Sequence, residues 1–318
     1  MADRTFGPKG WLPDRLEPQA GKTFVITGAN AGTGFQAARI LLGHGARVVM
    51  LNRSAGRSTT ALRNLKAEFG TKADVSFIPM DLSDLDSVAT AAEELLNTAP
   101  RIDALICNAA IAQVPARQLT VDGFESQLGT NHFGHFLLCG KLFDRIDQSG
   151  GRIVVVASLG YKMGLRRIKF EDLNWNEGYG ANAAYSQSKL AQMMFAYELQ
   201  DRVRAWQSKV QVFVCHPGSS ATSLIRTSGG MATRIMWWLM SKTPMVQSAE
   251  QGAYPEIMCA TERRLEQRAL YGPTGRMEFV GPVGRGTLEP HAHDKADMTR
   301  LWALSERATG FTWPFIPR

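Results

Sequence analysis

Thr23-Phe24-Val25-Ile26-Thr27-Gly28-Ala29-Asn30-Ala31-Gly32-Thr33-Gly34 decides the fold. Its first five residues are apolar or β-branched and stop at glycine, the pattern of a strand buried on both faces. A helical run follows to about Gly43. Between them, Gly28, Gly32 and Gly34 permit a tight turn and a close approach of backbone to phosphate. The helix start behind them offers free N–H groups and the positive end of its dipole. Asn30 and Thr33 lie in the same loop and join the glycines as candidate cofactor contacts. A glycine-rich turn also joins strands to helices where nothing binds, so the rest of the chain carries the decision.

Outward from this loop the pattern repeats. Short apolar runs at 47–51, 75–80, 104–107, 152–157 and 210–215 read as further buried strands. Helical periodicity falls between them at 57–69, from a cap at Ser83 or Asp84 to about 98, and at 120–145, 183–205 and 249–259. Strands alternating with helices build a parallel sheet covered on both faces. The expected fold class is α/β: a single-domain doubly wound parallel sheet, a Rossmann fold. Residues 1–20 are expected to form an extended leader. Residues 21–318 are expected to form one domain, with a substrate lid at about 219–248 and a C-terminal extension.

The 318 residues carry a net charge of +7, but the basic residues are dispersed, which points away from nucleic acid. Cys107, Cys139, Cys215 and Cys259 form no Cys-x-x-Cys pair, and three lie in apolar runs. Buried reduced thiols are therefore expected, not disulfides or metal ligands. His291-Ala292-His293 has no thiol or carboxylate pattern beside it, so no metal site is expected. No stretch is long and apolar enough to span a bilayer, and the N-terminus lacks the apolar core of a signal peptide. The expected location is cytoplasmic.

The end of the second strand is where a dinucleotide site reads the adenosine ribose. Here it reads Leu51-Asn52-Arg53-Ser54-Ala55-Gly56-Arg57, with no carboxylate to repel a phosphate. Arg53 and Arg57 stand four apart at a helix start, and their forked guanidinium groups suit the extra 2′-phosphate of NADP(H). Asp81 and Leu82, after the third strand, are placed to flank adenine, with a capping role as the alternative.

Tyr185 and Lys189 stand one helical turn apart, on one face. A neighbouring ammonium favours the phenolate and is expected to lower the tyrosine pKa, making it a proton donor and acceptor near neutrality. Two long connections, 159–184 and 219–248, leave the carboxyl edge of the sheet, where ligands of such folds bind. The second holds Met231, Ile235, Met236, Trp237, Trp238, Leu239 and Met240, which suits a lid over a hydrophobic carbonyl or alcohol. A subunit interface, a core helix, or peripheral membrane contact through the flanking Arg234 and Lys242 are its other readings. Homo-oligomerisation stays open.

These ordered motifs resemble the short-chain dehydrogenase/reductase family over most of the chain, from about Gly21 to Thr309. The family's Thr-Gly-x-x-x-Gly-x-Gly is met by Thr27, Gly28, Gly32 and Gly34. Its Asn-Asn-Ala-Gly appears as Cys107-Asn108-Ala109-Ala110, a departure at both ends. Its asparagine is Asn131, its serine Ser158, its Tyr-x-x-x-Lys the pair at 185 and 189, and its Pro-Gly is Pro217-Gly218. Cys-Asn-Ala-Ala and Thr-Asn-His-Phe-Gly-His-Phe resemble the branch of retinol dehydrogenases, WW-domain oxidoreductases and light-dependent protochlorophyllide reductases. The resemblance implies Asn131, Ser158, Tyr185 and Lys189 as the catalytic set. It adds Asn108, Ala109, Ala110, Tyr185, Lys189, Pro217 and Gly218 to the cofactor contacts. Ser158 and Tyr185 would hold a carbonyl oxygen, Lys189 the nicotinamide ribose, and Asn131 a water leading to solvent. His132, His135 and His216 read as structural or peripheral. A double-bond reductase of the protochlorophyllide type and a non-catalytic NADP-binding sensor are the alternatives.

Overall fold

A computed structural model describes residues 5–220 and 243–315 of the chain. Eight strands form one sheet in the order β3-β2-β1-β4-β5-β6-β7-β8. They are β1 Thr23–Thr27, β2 Arg47–Asn52, β3 Val75–Pro79, β4 Ala104–Cys107, β5 Arg152–Val156, β6 Gln211–Cys215, β7 Leu270–Pro273 and β8 Val283–Arg285. All neighbours run parallel except β7 and β8, which are antiparallel. The order reverses beside β1, whose Val25 faces Val49 on one side and Leu105 on the other. That reversal leaves a crevice at the carboxyl ends of β1 and β4, where open α/β sheets take ligands.

Every side chain of β1 is buried, because both faces of the strand meet helices. Phe24 and Ile26 join Val48 and Met50 under α1 (Gly32–Gly43), α2 (Ala55–Phe69) and α8 (Ala249–Thr261). Val25 joins Val49, Leu105 and Val155 on the opposite face. That face is covered by α3 (Leu85–Thr98), α5 (Gly134–Gln148), α7 (Ala181–Ala205) and α9 (Lys295–Thr309). Each such side chain contributes about 1.5–3 kcal/mol by leaving water, and successive residues of one strand serve both cores.

The helix expected at 120–145 is shorter and composite. Residues 120–124 make a turn, with Gly123 at φ 84° and Thr120 N–H donating to Phe124 O at 2.8 Å. The buried Glu125 carboxylate then accepts from Gln127 N and Leu128 N and starts the short α4, Ser126–Leu128. A π-helical turn, Gly129–Phe133, links it to α5 and carries Asn131. Such turns displace one residue from the regular ladder and often mark functional positions. A further short helix, α6 (Gly160–Met163), opens the connection after β5.

Residues from the two ends cover the sheet. Gly10 bridges Val283 of β8, and Trp11, 1% exposed, donates its N–H to Val283 O at 2.9 Å. On the α5–α7 face, Trp302 of α9 and Trp313 pack on Phe136, Phe195 and each other. The four cysteines are free and buried, as their apolar surroundings in the sequence suggest, with Cys107 and Cys139 sulfurs 3.5 Å apart.

Candidate active site

The crevice opens into a cavity of about 590 Å³. Its walls bring together the phosphate loop (Gly28, Asn30, Gly32, Thr33), Arg53 and Arg57, Asn108–Ala110, Ser158, Tyr185, Lys189, Pro217 and Gly218. Gly28 and Gly32 have φ of 69° and 60°, the left-handed region that glycine enters without strain. The start of α1 has no side-chain cap, since Ala31 stands at that position. Its first N–H groups therefore meet the cavity unpartnered by a side chain, which suits a pyrophosphate.

Asn108 fixes this loop. Its Nδ2 donates to Thr27 O at 2.8 Å and its Oδ1 accepts from Thr33 Oγ1 at 2.9 Å. Gly34 is not on the cavity wall; its place is explained by contact, because a Cβ there would strike Asn108 Nδ2. Ala109 N donates to Thr27 Oγ1 at 2.9 Å, so the turn after β4 is tied to β1 twice.

Arg53 and Arg57 line the same cavity from the end of β2 and the first turn of α2. Arg57 makes no ion pair among the described residues, whereas Arg53 Nη1 stands 3.7 Å from Asp81 Oδ2. Asp81 also accepts from Ser83 N at 2.9 Å and Ser83 Oγ at 2.7 Å, a local turn. Leu82 is 6% exposed and packs in the core. Neither Asp81 nor Leu82 is among the cavity-lining residues, so their geometry is that of the turn and the core.

Ser158 follows β5 and lines the cavity together with Tyr185. Gly160 N donates to Ser158 Oγ at 3.1 Å, and a Cβ at Gly160 would lie 3.0 Å from the Tyr185 ring. Burial raises the Tyr185 pKa, partly offset by the nearby Ser158 hydroxyl. This corrects the expectation of a lowered value: Lys189 directs its ammonium elsewhere. Lys189 Nζ donates to Val156 O at 3.1 Å and to Gln192 Oε1 at 2.8 Å. Burial pulls Lys189 down to about 7, so the neutral forms of both groups are favoured together.

Asn131 lies outside the cavity wall. Its Oδ1 accepts from Ile111 N at 2.9 Å, and its Nδ2 donates to Ile111 O and Ser188 Oγ, each at 2.9 Å. The side chain thus clamps the loop after β4 to α7, and Ser188 in turn donates to Tyr185 O at 2.8 Å. The side chain is a structural clamp. The three histidines in question are buried and held neutral: burial pushes His132 to about 3, and His135 and His216 to about 4. His216 Nδ1 accepts from Gly218 N at 3.2 Å and shapes the Pro217-Gly218 turn.

Sequence reasoning missed several wall residues. Phe279 arrives from the segment before β8, Met163 and Asn182 from α6 and α7, and Gln113 holds φ 53°, uncommon for a residue with a side chain. Met163 and Asn182 sit in the connection 159–184 already flagged as long, whereas Phe279 and the left-handed backbone of Gln113 carry no such signal. The Trp- and Met-rich segment 231–240 lies outside the described residues, as do Arg234 and Lys242. Among the described residues no helix is long and apolar enough to cross a membrane, and no cluster of side chains suits a metal.

The short chain dehydrogenase model matches residues 22–170. Retinol dehydrogenase 14 of Mus musculus is 37% identical over 305 residues, covering 91% of this chain and 86% of its own. Retinol dehydrogenase 12 of Homo sapiens is 35% identical over 295 residues, covering 92% and 88%. The crystal structure of an uncharacterised protein from Mycobacterium Paratuberculosis superposes with a TM-score of 0.77 at 36% identity, over 96% of this chain and 99% of that one. Levodione reductase, at 19% identity and a TM-score of 0.61 over 77% of this chain and 92% of its own, shares the fold. The chain belongs to the short-chain dehydrogenase/reductase family, in its retinol dehydrogenase branch, and is an oxidoreductase of alcohol and carbonyl groups that uses a nicotinamide cofactor.

Proposed function

We propose that the protein is an NADP(H)-dependent reductase of hydrophobic aldehydes or ketones, working in reverse on the matching alcohols, with Tyr185 as the acid and base. The observation that carries this is the convergence of Ser158, Tyr185 and Lys189 on one cavity with the uncapped start of α1 and two arginines. When bound, the cofactor supplies or accepts the hydride. Ser158 Oγ and Tyr185 Oη hold the carbonyl oxygen as negative charge grows on it. Tyr185 Oη then gives up its proton to that oxygen. Burial raises the Tyr185 pKa, so the phenol carries its proton at neutral pH, as its role as acid requires. Lys189 and Asn131 support the tyrosine: the lysine from the next turn of the same helix on the cavity wall, the asparagine by fixing Ser188 beneath it.

Arg53 and Arg57 would hold the 2′-phosphate, and Asn108–Ala110, Pro217 and Gly218 would border the remainder of the dinucleotide. Ile111, Ala112, Leu159, Met163 and Phe279 make the rest of the wall largely apolar. The names of the retinol dehydrogenase relatives point to a long apolar alcohol or aldehyde of the same kind. A cytoplasmic location and a substrate lid within 219–248 complete this reading. The test is an NADPH-oxidation screen over aldehydes and ketones of graded size, run beside Tyr185→Phe. Turnover that favours large apolar carbonyls and disappears in Tyr185→Phe is expected. Turnover retained in that variant would overturn the reading.

A further inference from the structure

Lys189 is 2% exposed, and its ammonium forms no ion pair among the described residues. An ammonium has three N–H donors. One goes to the Val156 carbonyl of β5 and one to Gln192 Oε1, leaving the third for the cavity that Lys189 lines. Gln192 lies three residues further along α7, on the same face, and is 1% exposed. Its other end is orphaned: Nε2 is buried with no hydrogen-bond partner.

An amide retained for packing would satisfy both ends, or give way to an apolar side chain of the same size. Gln192 does neither. Turning the amide over would aim its NH₂ at the ammonium, so Lys189 sets its orientation. The titratable groups around Lys189 give no competing anchor. Tyr185 shares its helix, the Cys215 thiol of β6 is pushed well above its usual range by burial, and His135 of α5 is neutral. Gln192 is the one side chain hydrogen-bonded to Lys189 among the described residues.

We propose that Gln192 is a positioning residue for the reaction: its side-chain oxygen steers the Lys189 ammonium so that the free N–H faces the cavity beside Tyr185. The proposal rests on the reading of Tyr185 and Lys189 given above. An acceptor at this distance also favours the charged lysine against the burial that opposes it. Without it, the ammonium would lose both its aim and part of its proton affinity.

The test measures kcat, KM and the pH profile of NADPH-dependent carbonyl reduction in Gln192→Met, Gln192→Glu and Tyr185→Phe. Methionine fills a similar volume with no acceptor and no orphaned NH₂. It is expected to lower kcat about tenfold, leave KM for the carbonyl nearly unchanged, and move the basic limb down by about one pH unit. Glutamate keeps the acceptor and adds charge, so the limb should move up. Unchanged kcat and an unmoved limb in Gln192→Met would show a packing role and overturn the proposal. If that variant does not fold, the limb of Gln192→Glu decides alone: upward supports the proposal and unmoved overturns it. Full turnover in Tyr185→Phe would instead overturn the underlying reading, and the proposal with it.

Discussion

His135 Nε2 lies 3.0 Å from Thr27 Oγ1, joining α5 to the end of β1 across 108 positions of sequence. The other ring nitrogen, Nδ1, lies 2.9 Å from Asn131 O, which fixes it as the protonated one, since a carbonyl can only accept. Nε2 then accepts from Thr27, whose oxygen itself accepts from Ala109 N. A single neutral imidazole thus ties the phosphate loop, the turn after β4 and the π-helical turn together.

This arrangement fails in acid. His135 is held at about 4 and an unfolded histidine titrates near 6.5, so the unfolded chain binds more protons between those values. His132 and His216 act in the same direction. Stability is full above pH 6.5 and falls as pH drops, by about 1.4 kcal/mol per unit for each histidine. Urea unfolding measured from pH 7 to 4 should show this slope, and His135→Asn should reduce it.

Glu256 of α8 predicts the opposite slope. It is 1% exposed, neither carboxyl oxygen has a partner, and burial raises it to about 8 from an ordinary 4.5. The folded state therefore keeps the proton over that interval while the unfolded state releases it. Stability from this group is intact below pH 4.5 and declines as pH rises to about 8. Glu256→Met should gain at least about 1 kcal/mol at pH 8, little at pH 4.5, as read by thermal or urea unfolding at both values.

Arg53→Ala and Arg57→Ala should each weaken NADPH binding while leaving NADH unaffected. A charged hydrogen bond is worth about 1.5–3 kcal/mol, or roughly tenfold to a hundredfold in Kd. Arg57→Ala should cost more, because Arg53 already shares its charge with Asp81. Fluorescence titration with both nucleotides checks this; equal losses for NADH would remove the phosphate from the account.

Gly34→Ala should cost cofactor affinity more than fold stability. The new Cβ would displace Asn108 Nδ2 from Thr27 O and disturb the Thr33 contact beside it. An order of magnitude in Kd for either nucleotide corresponds to about 1.4 kcal/mol. Binding isotherms and melting curves on the same variant separate the two effects.

The phosphate loop was readable because it is local: a buried strand, glycines and a helix start follow one another within twelve residues. The alternation that places β1 to β6 rests on equally short apolar runs. The last two strands, β7 and β8, have only four and three residues and carry glycine and proline, so no periodicity announces them. Their pairing depends on Tyr271 meeting Arg285 and on Gly10 docking beside Val283. The helix expected from Thr120 fails for a related reason: apolar spacing continues through 120–124, but Gly123 and the Glu125 cap restart the backbone.

The sequence by itself determined which residue types stand in which order: the glycine loop, the arginines without a carboxylate, Asn131, Ser158, and Tyr185 one turn before Lys189. Spacing along a helix or strand is set by bond geometry, so it survives without a structure. Only the tertiary structure decided what surrounds each group. It turned Asn131 toward Ile111, paired Arg53 with Asp81, raised Tyr185 instead of lowering it, and gave Lys189 to Gln192. Those outcomes depend on burial and on partners brought from distant positions, and neither desolvation nor a long-range hydrogen bond is written in local order.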